Sequence, residues 1–316
     1  MTTLWPRLRS RLTGSWRCCR VEIQDRPSDY PIPVRRVGFS GVLRRITIKS
    51  PEGRVQLTAR IDLYVEVSPD RKGAHLSRNI DAINLLERIP EESWSLEGFA
   101  EALHKELLEL HPYSSSAVVK LKTTYWVPAD FLDIKGLEPV SVRISVSGGK
   151  ERKTYSTSVT VKGLTVCPSA QTTTSQLLGQ GGLTPSHVQK VLLKGNVRSE
   201  RLSVLRIEEM ATCLWASLSA PSFTLLKRFQ EGELILTAFQ NPKFAEDVVR
   251  EAVARLWCRF KDVLPPSSTI MAEVLSLESI HPQDVYAMAA GTPQDLAGID
   301  CAPLVCKRGV NEVKAY

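Results

Sequence analysis

Cys167, His187, Glu231, Glu278 and His281 form a set whose side-chain types hold transition metals. A thiolate and two imidazoles suit zinc or iron, and a carboxylate can fill a fourth position or serve as the base beside the ion. Each residue also has an ordinary reading. Cys167 follows a strand-like run and precedes Pro168, as a buried structural cysteine can. His187 stands where a strand begins, and Glu231 sits in a charged Gln-Glu-Gly-Glu stretch that reads as a solvated loop. Glu278 and His281, spaced E-x-x-H before Pro282, share a side only in a turn or helix. These segments are far apart in the chain, so only a folded scaffold can make them one metal-dependent site.

A second group follows the clearest strand. Arg71, Lys72, His75, Ser77 and Arg78 lie within ten residues ahead of a helical pattern. They read either as a solvated basic loop or as a phosphate site helped by a helix N-terminus. There is no Walker loop, no G-x-G-x-x-G and no G-x-S-x-G, so the common nucleotide and serine-hydrolase routes find no support.

The elements that must position these residues are legible from periodicity. From Val55 to Val67 every odd residue is apolar, which predicts a long strand with one buried face. Val42–Lys49 pairs with it through a Pro-Glu-Gly turn. Helical patterns follow at Asn79–Glu87 and Ser95–His111, the latter with Leu96, Phe99, Leu103, Leu107 and Leu110 in one stripe and Ser95 as cap. His104 and His111 read as surface residues there. Strands at Ala117–Val127 and Val140–Val146 complete a ββααββ order. The second half repeats it, with strands Thr154–Val166 and Ser186–Leu193, helices Leu202–Leu218 and Asn241–Leu264, and strands Thr269–Leu275 and Val285–Ala290. The reading is an α+β fold of two modules, 21–150 and 151–295, between a leader 1–20 and a tail 296–316. Such antiparallel sheets carry helices on one face, and closure into a barrel is one way to remove their open edges.

Composition bounds the function. With 316 residues, 43% hydrophobic and 24% charged, the chain has the make-up of a globular protein. Five arginines, Arg7, Arg9, Arg11, Arg17 and Arg20, lie in an acid-free leader; removing them from the net +7 leaves +2 on the remainder. That near-neutral body argues against nucleic acid as partner. No apolar run reaches the roughly 18 residues of a membrane span, so a cytoplasmic location is expected. The seven cysteines show no CxxC pair, and Cys213 and Cys258 read as small buried hydrophobes rather than as disulfide partners.

Taken as strings, these segments resemble the type IB GTP cyclohydrolases and their archaeal relatives, also called type IV. The resemblance begins at Ile23-Gln24-Asp25-Arg26-Pro27 and continues through Gly73-Ala74-His75-Leu76-Ser77-Arg78 and Thr165-Val166-Cys167-Pro168. It goes on through Ser186-His187-Val188-Gln189, Ala220-Pro221-Ser222-Phe223-Thr224-Leu225-Leu226-Lys227-Arg228, Asn241-Pro242-Lys243-Phe244-Ala245-Glu246-Asp247 and Glu278-Ser279-Ile280-His281. It implies a tunnelling fold, in which tandem ββααββ units assemble as a homodimer or homotetramer with active sites between subunits. It also implies one Fe(II) per subunit, with Mn(II) or Zn(II) as alternatives, held by Cys167, His187, Glu231 and His281. Cys167, Glu278 and His281 would be catalytic. Glu246 would hold the guanine of GTP, and Arg71, Lys72, His75, Ser77 and Arg78 its phosphates.

The implied reaction is attack of activated water on C8 of GTP with loss of formate. The archaeal branch, which this chain resembles more, makes 7,8-dihydroneopterin 2′,3′-cyclic phosphate for a methanopterin-type cofactor. Three alternatives stand beside it: the folate branch that makes dihydroneopterin triphosphate, a nitrile-reductase-like relative with a nucleophilic cysteine, and an inactive purine-binding relative. One departure bears on the last. The family motif reads Cys-Pro-Cys, and here Ser169 replaces the second cysteine.

Overall fold

Alternation in the Val55–Val67 run becomes the second strand of one antiparallel sheet, with its odd residues buried from Leu57 on and Val55 half-buried. The computed structural model describes residues 22–50, 53–86, 95–131 and 134–304. The leader 1–20 and the tail beyond residue 304 lie outside the described residues. The strands are β1 (Val34–Ser50), β2 (Gly53–Val67), β3 (Ala117–Phe131), β4 (Ile134–Gly148), β5 (Lys153–Val166), β6 (Val188–Ser199), β7 (Ala220–Pro221), β8 (Thr269–Leu277) and β9 (Val285–Gly291). Their spatial order is β1-β2-β3-β4-β5-β6-β8-β9, with β7 paired to β5. The β4–β5 ladder, from Ser141 opposite Thr160 to Gly148 opposite Lys153, runs the two halves of the chain together as one sheet.

The helices are α1 (Ser77–Leu86), α2 (Leu96–Leu110), α3 (Pro168–Leu178), α4 (Ile207–Ala216), α5 (Arg228–Gln240), α6 (Ala245–Phe260) and the single turn α7 (Pro293–Leu296). Ser95 caps α2 as its sequence predicts, its hydroxyl accepting from Gly98 N at 3.0 Å. The apolar stripes of α2, α4 and α6 pack on β3–β4, β5–β6 and β8–β9, so one face of the sheet carries the core. Leu103, Leu107, Leu214 and Leu256 are fully buried there. Each such side chain stabilises the fold by roughly 1.5–3 kcal/mol. The α+β architecture, antiparallel with helices on one face, is the one expected.

Several local expectations are corrected. Glu231 lies in the first turn of α5, not in a loop. α3 follows Cys167 directly, an element that periodicity does not reveal. Its Thr172, Thr173 and Thr174 return their hydroxyls to the carbonyls of Pro168, Ser169 and Ala170 four residues back, which lets three β-branched residues sit in a helix. His104 and His111 are fully buried rather than on the surface. His104 Nε2 donates to Ala117 O and Gly148 O at 3.1 and 3.0 Å, tying α2 to the β3–β4 ladder end. Cys258, at the end of α6, is bonded to Cys301 rather than being a lone buried thiol. That bond pins the segment after β9 back onto the core helix.

Two outcomes follow for stability. The bond closes a loop across a sequence separation of 43 residues. Its loss should lower unfolding free energy by roughly 2–4 kcal/mol. Thermal unfolding with and without reductant checks this, since a Cys258→Ser/Cys301→Ser protein should start lower and ignore reductant. His111 is the second case. Burial, then the charges of Arg78, His75 and Arg71, hold its pKa down at about 4 from 6.5. Between those values the unfolded chain takes up a proton that the folded chain refuses. Stability should therefore fall by roughly 2–3 kcal/mol as pH drops from 6.5 to about 4, then level off. Urea unfolding across that range should show a flatter profile for His111→Asn.

Candidate active site

Three neighbouring strands end together, and their register delivers the chemistry-bearing residues. Val166 stands opposite Val188 in the β5–β6 ladder, so the next pair is Cys167 and His187, joined by Cys167 N donating to His187 O at 3.3 Å. In the β6–β8 ladder Lys190 stands opposite Leu277, so one further step sets Gln189 beside Glu278. Gln189 Nε2 donates to Glu278 Oε2 at 3.2 Å and also lies against His187 Nδ1. His187 Nδ1 is 3.7 Å from Glu278 Oε2. The His281 ring stands 6.3 Å from that of His187, edge to face, on the turn after β8. Ser276 Oγ donates to Glu278 Oε1 at 3.0 Å, and Asp284 accepts from Glu278 N at 3.2 Å, which closes the turn.

Cys167 caps α3. Its sulfur accepts from Ala170 N at 3.4 Å with Pro168 at the first helical position, so the positive end of the helix dipole faces the thiol. The strand end is held from its other side as well. Where β4 stops pairing with β5, β7 takes over opposite Gly163 and Leu164, and Ser219 Oγ accepts from Val166 N at 3.2 Å. A side chain at Gly163 would come within 2.6 Å of Ala220 O, so only glycine admits β7 there. Lys243 N donates to Val166 O at 3.0 Å, bringing the start of α6 to the same end, with Glu246 exposed in its first turn. Burial pulls the Lys243 ammonium pKa down, opposed by the Glu251 carboxylate 2.6 Å away.

Other predicted residues are elsewhere. Glu231 is exposed at the start of α5, while Phe239 near the opposite end accepts from Gln171 of α3 at 3.0 Å. Leu234, one turn on from Glu231, joins one apolar cluster with Val166 at the strand end. The basic loop lies at the far end of the sheet, after β2. β5, of 14 residues, separates the two ends by about 45 Å. The loop cations are engaged by an N-terminal segment: Arg71 and His75 with Asp25, and Lys72 with Asp29 at 2.8 Å. The His75 hydrogen bond, then the Arg71 charge, hold the Asp25 carboxyl below the usual carboxylate range against the opposing pull of burial. Arg71 also stacks on Tyr113 at 3.9 Å, Arg78 donates to Leu110 O at 2.8 Å, and Ser77 is exposed at the start of α1.

As donors, a thiol, two imidazoles and a carboxylate suit a borderline-soft divalent ion, and they share one sheet end. Among the described residues, no three His, Cys, Asp or Glu side chains stand close enough to form a ready cage in one chain.

The sequence matches the family described as type I GTP cyclohydrolase folE2 over residues 21–287. The chain belongs to that family. It is thus a hydrolase of the GTP cyclohydrolase class. It is 43% identical to GTP cyclohydrolase MptA of Aeropyrum pernix over 273 residues, covering 85% of this chain and 94% of that protein. The proteins of the same name from Thermococcus kodakarensis and Picrophilus torridus are 31% and 30% identical, each match covering 84% of this chain and, in turn, 98% and 94% of the relative. Among solved structures, a hyper-thermostable AgUricase mutant aligns at a TM-score of 0.50 with 7% identity, over 82% of this chain and 92% of the other, a likeness of fold alone.

Two family-related features gain meaning from the geometry. Ser169, where the motif has its second cysteine, is exposed in the first turn of α3. Gln189 was not singled out by sequence reasoning, although it lies two residues from His187 on the same strand face. It is buried, with its amide between His187 and Glu278 and its Oε1 accepting from Thr165 Oγ1 at 3.3 Å. Gln189→Leu should lower unfolding free energy by roughly 1–3 kcal/mol, because the carboxylate and imidazole lose the donor between them. Unchanged urea unfolding would show that the amide holds nothing.

Proposed function

We propose that this chain opens the imidazole ring of GTP at C8, releases formate, and yields 7,8-dihydroneopterin 2′,3′-cyclic phosphate for a methanopterin-type cofactor, the other two phosphates leaving as diphosphate. The observation that carries the choice of branch is the 43% identity to the Aeropyrum pernix GTP cyclohydrolase MptA along most of both chains. Cys167, His187 and His281 are the proposed ligands of one divalent ion, Fe(II) in preference to Mn(II) or Zn(II). When bound, such an ion lowers the pKa of a coordinated water toward neutrality.

The chain's own residues then divide the work. Gln189 fixes the His187 ring, and the Cys167 sulfur is set by its helix cap. Glu278, held by Ser276 and Gln189, and His281, on the exposed turn, are the proposed proton carriers at the ring being opened. Glu246, at the same sheet end, is suited to accept hydrogen bonds from the guanine N1–H and 2-amino group. Glu231, in the first turn of α5 one turn before the Leu234 that clusters with Val166, is the proposed fourth ligand.

A homodimer or homotetramer belongs to this reading. The basic loop and the Cys167 end are separated by the length of the sheet, so triphosphate held by Arg71–Arg78 could reach Cys167 only across a subunit boundary. Exposed Leu177, Leu225, Phe229, Ile235, Leu236 and Ile280 lie on the elements around the site, as an interface requires. No helix of the described residues is long and apolar enough to cross a membrane. A cytoplasmic location completes the proposal; a bond such as Cys258–Cys301 is rare in most cytosols but common in those of hyperthermophiles.

Anaerobic incubation of Fe(II)-loaded protein with GTP, followed by mass spectrometry, tests the reading. Formate and a cyclic phosphate are expected; a triphosphate product would move the chain to the folate branch, and no formate would refute the activity. Cys167→Ala and His187→Ala should each lose bound metal and more than the ~10–100-fold in turnover that an outer-shell change costs.

A further inference from the structure

The helix-free face of the sheet holds a row of cations that the proposed reaction does not use. Arg60 stands opposite Lys122 in the β2–β3 ladder, and Lys122 stands opposite Arg143 in the β3–β4 ladder. All three are exposed, as is Lys120 two residues away on the same face. Residues directly opposite on adjacent strands bring their Cβ atoms to about 4.5–5.5 Å, where like charges destabilise the sheet. Among the described residues none of these four cations has an acidic partner within ion-pair distance, whereas neighbouring Lys194 is matched by Glu273 at 3.3 Å. Asp62 faces Lys120 in the ladder, but its Oδ1 accepts from Ser40 Oγ at 3.0 Å and Gly41 N at 2.7 Å.

The row continues into hydrogen-bond donors. Arg143 stands opposite Ser158, and Ser158 opposite Asn196. Asn196 Nδ2 donates to both Ser156 Oγ and Ser158 Oγ at 2.6 Å, which leaves both hydroxyl hydrogens free to donate outward. Ser158 is only 7% exposed, so its hydroxyl sits at the floor of the site. These residues line a cavity of about 430 Å³. Such a volume suits a small molecule. Four unmatched cations and two free hydroxyl donors, with one acid already engaged, make a surface rich in donors and poor in acceptors. The ligand chemistry that fits is a compact anion of several charges with many acceptor oxygens.

We propose that this cavity binds an oligophosphate anion of two or three linked phosphates, at a site separate from the Cys167 end. Ser158 lies nine residues before Cys167, about 30 Å away along the β5 direction. The bound anion would neutralise the Arg60–Lys122–Arg143 row and so stabilise the sheet itself.

Calorimetric titration of the full chain with sodium tripolyphosphate tests this. One saturable site per chain that persists in an Arg71→Ala/Lys72→Ala protein is expected, weakened by added salt. A Lys122→Ser/Arg143→Ser protein should bind at least about ten-fold more weakly. Without anion its Tm should equal or exceed that of the parent, and tripolyphosphate should raise the Tm of the parent alone. Lys122→Gln, which keeps the aliphatic stem, should weaken binding in the same direction. Cys167→Ala should bind as the parent does. Competition by ATP would show that the phosphates can be borne by a nucleotide, and its absence that they are taken free. No saturable binding, undiminished binding in the double variant, or loss of binding in Cys167→Ala would each overturn the proposal.

Discussion

The site depends on the register of three antiparallel strands. Cys167, His187, Gln189 and Glu278 lie within reach of one another because β5, β6 and β8 pair without a slip up to their common end. Side chains alternate faces with period two, so a one-residue shift of β6 would turn His187 and Gln189 away together. The ladder is protected by burial of Val191, Leu193, Ile270 and Val274 on its helix side. The same alternation that hides those residues therefore fixes the angle at which the functional ones emerge. Gln189 shows how closely the two are joined, since it is buried with the strand and bonded to both site groups.

The sheet also acts as a spacer. Its strands are long, and the residues that suit phosphate after β2 end up opposite those that suit a metal after β5. Among the described residues the two ends stay apart, because β5 is an unbroken strand paired to β4 and β6. The two open ends of the strand order, β1 and β9, are where another copy can add strands, which is how an extended sheet would bring unlike ends together. The helices cannot do so, being committed to one face. On the other face, where β2, β3 and β4 run side by side, the cross-strand pairing sets Arg60, Lys122 and Arg143 in a row.

Much of the architecture was legible in period-two and period-3.6 patterns. β2, β4, α2 and α6 show them plainly because each has one buried and one wet side. α3 and α5 were hidden for opposite reasons. Three threonines in α3 weigh against a helix until their hydroxyls find the carbonyls one turn back. In α5, Phe229, Ile235 and Leu236 spread round the helix and remain exposed, so no single stripe marks it. His104 and His111 were misplaced to the surface because an imidazole's polarity says nothing of the carbonyls waiting for it. His104 is buried because two strand ends meet its ring.

The sequence by itself determined the fold class, the family and the residue types of the site, since periodicity and motif strings are properties of neighbours in the chain. It also determined that Cys167 is followed by a serine where a second thiol is usual. Only the tertiary structure decided which of those residues meet. Cys167, His187, Glu278 and His281 gather at one end, and the basic loop lies at the other. The Arg60–Lys122–Arg143 row was equally invisible, although all three charges are in the sequence. The physical reason is common to all of these cases: proximity across a sheet is set by hydrogen-bond register between segments distant in sequence, and no local pattern encodes that register.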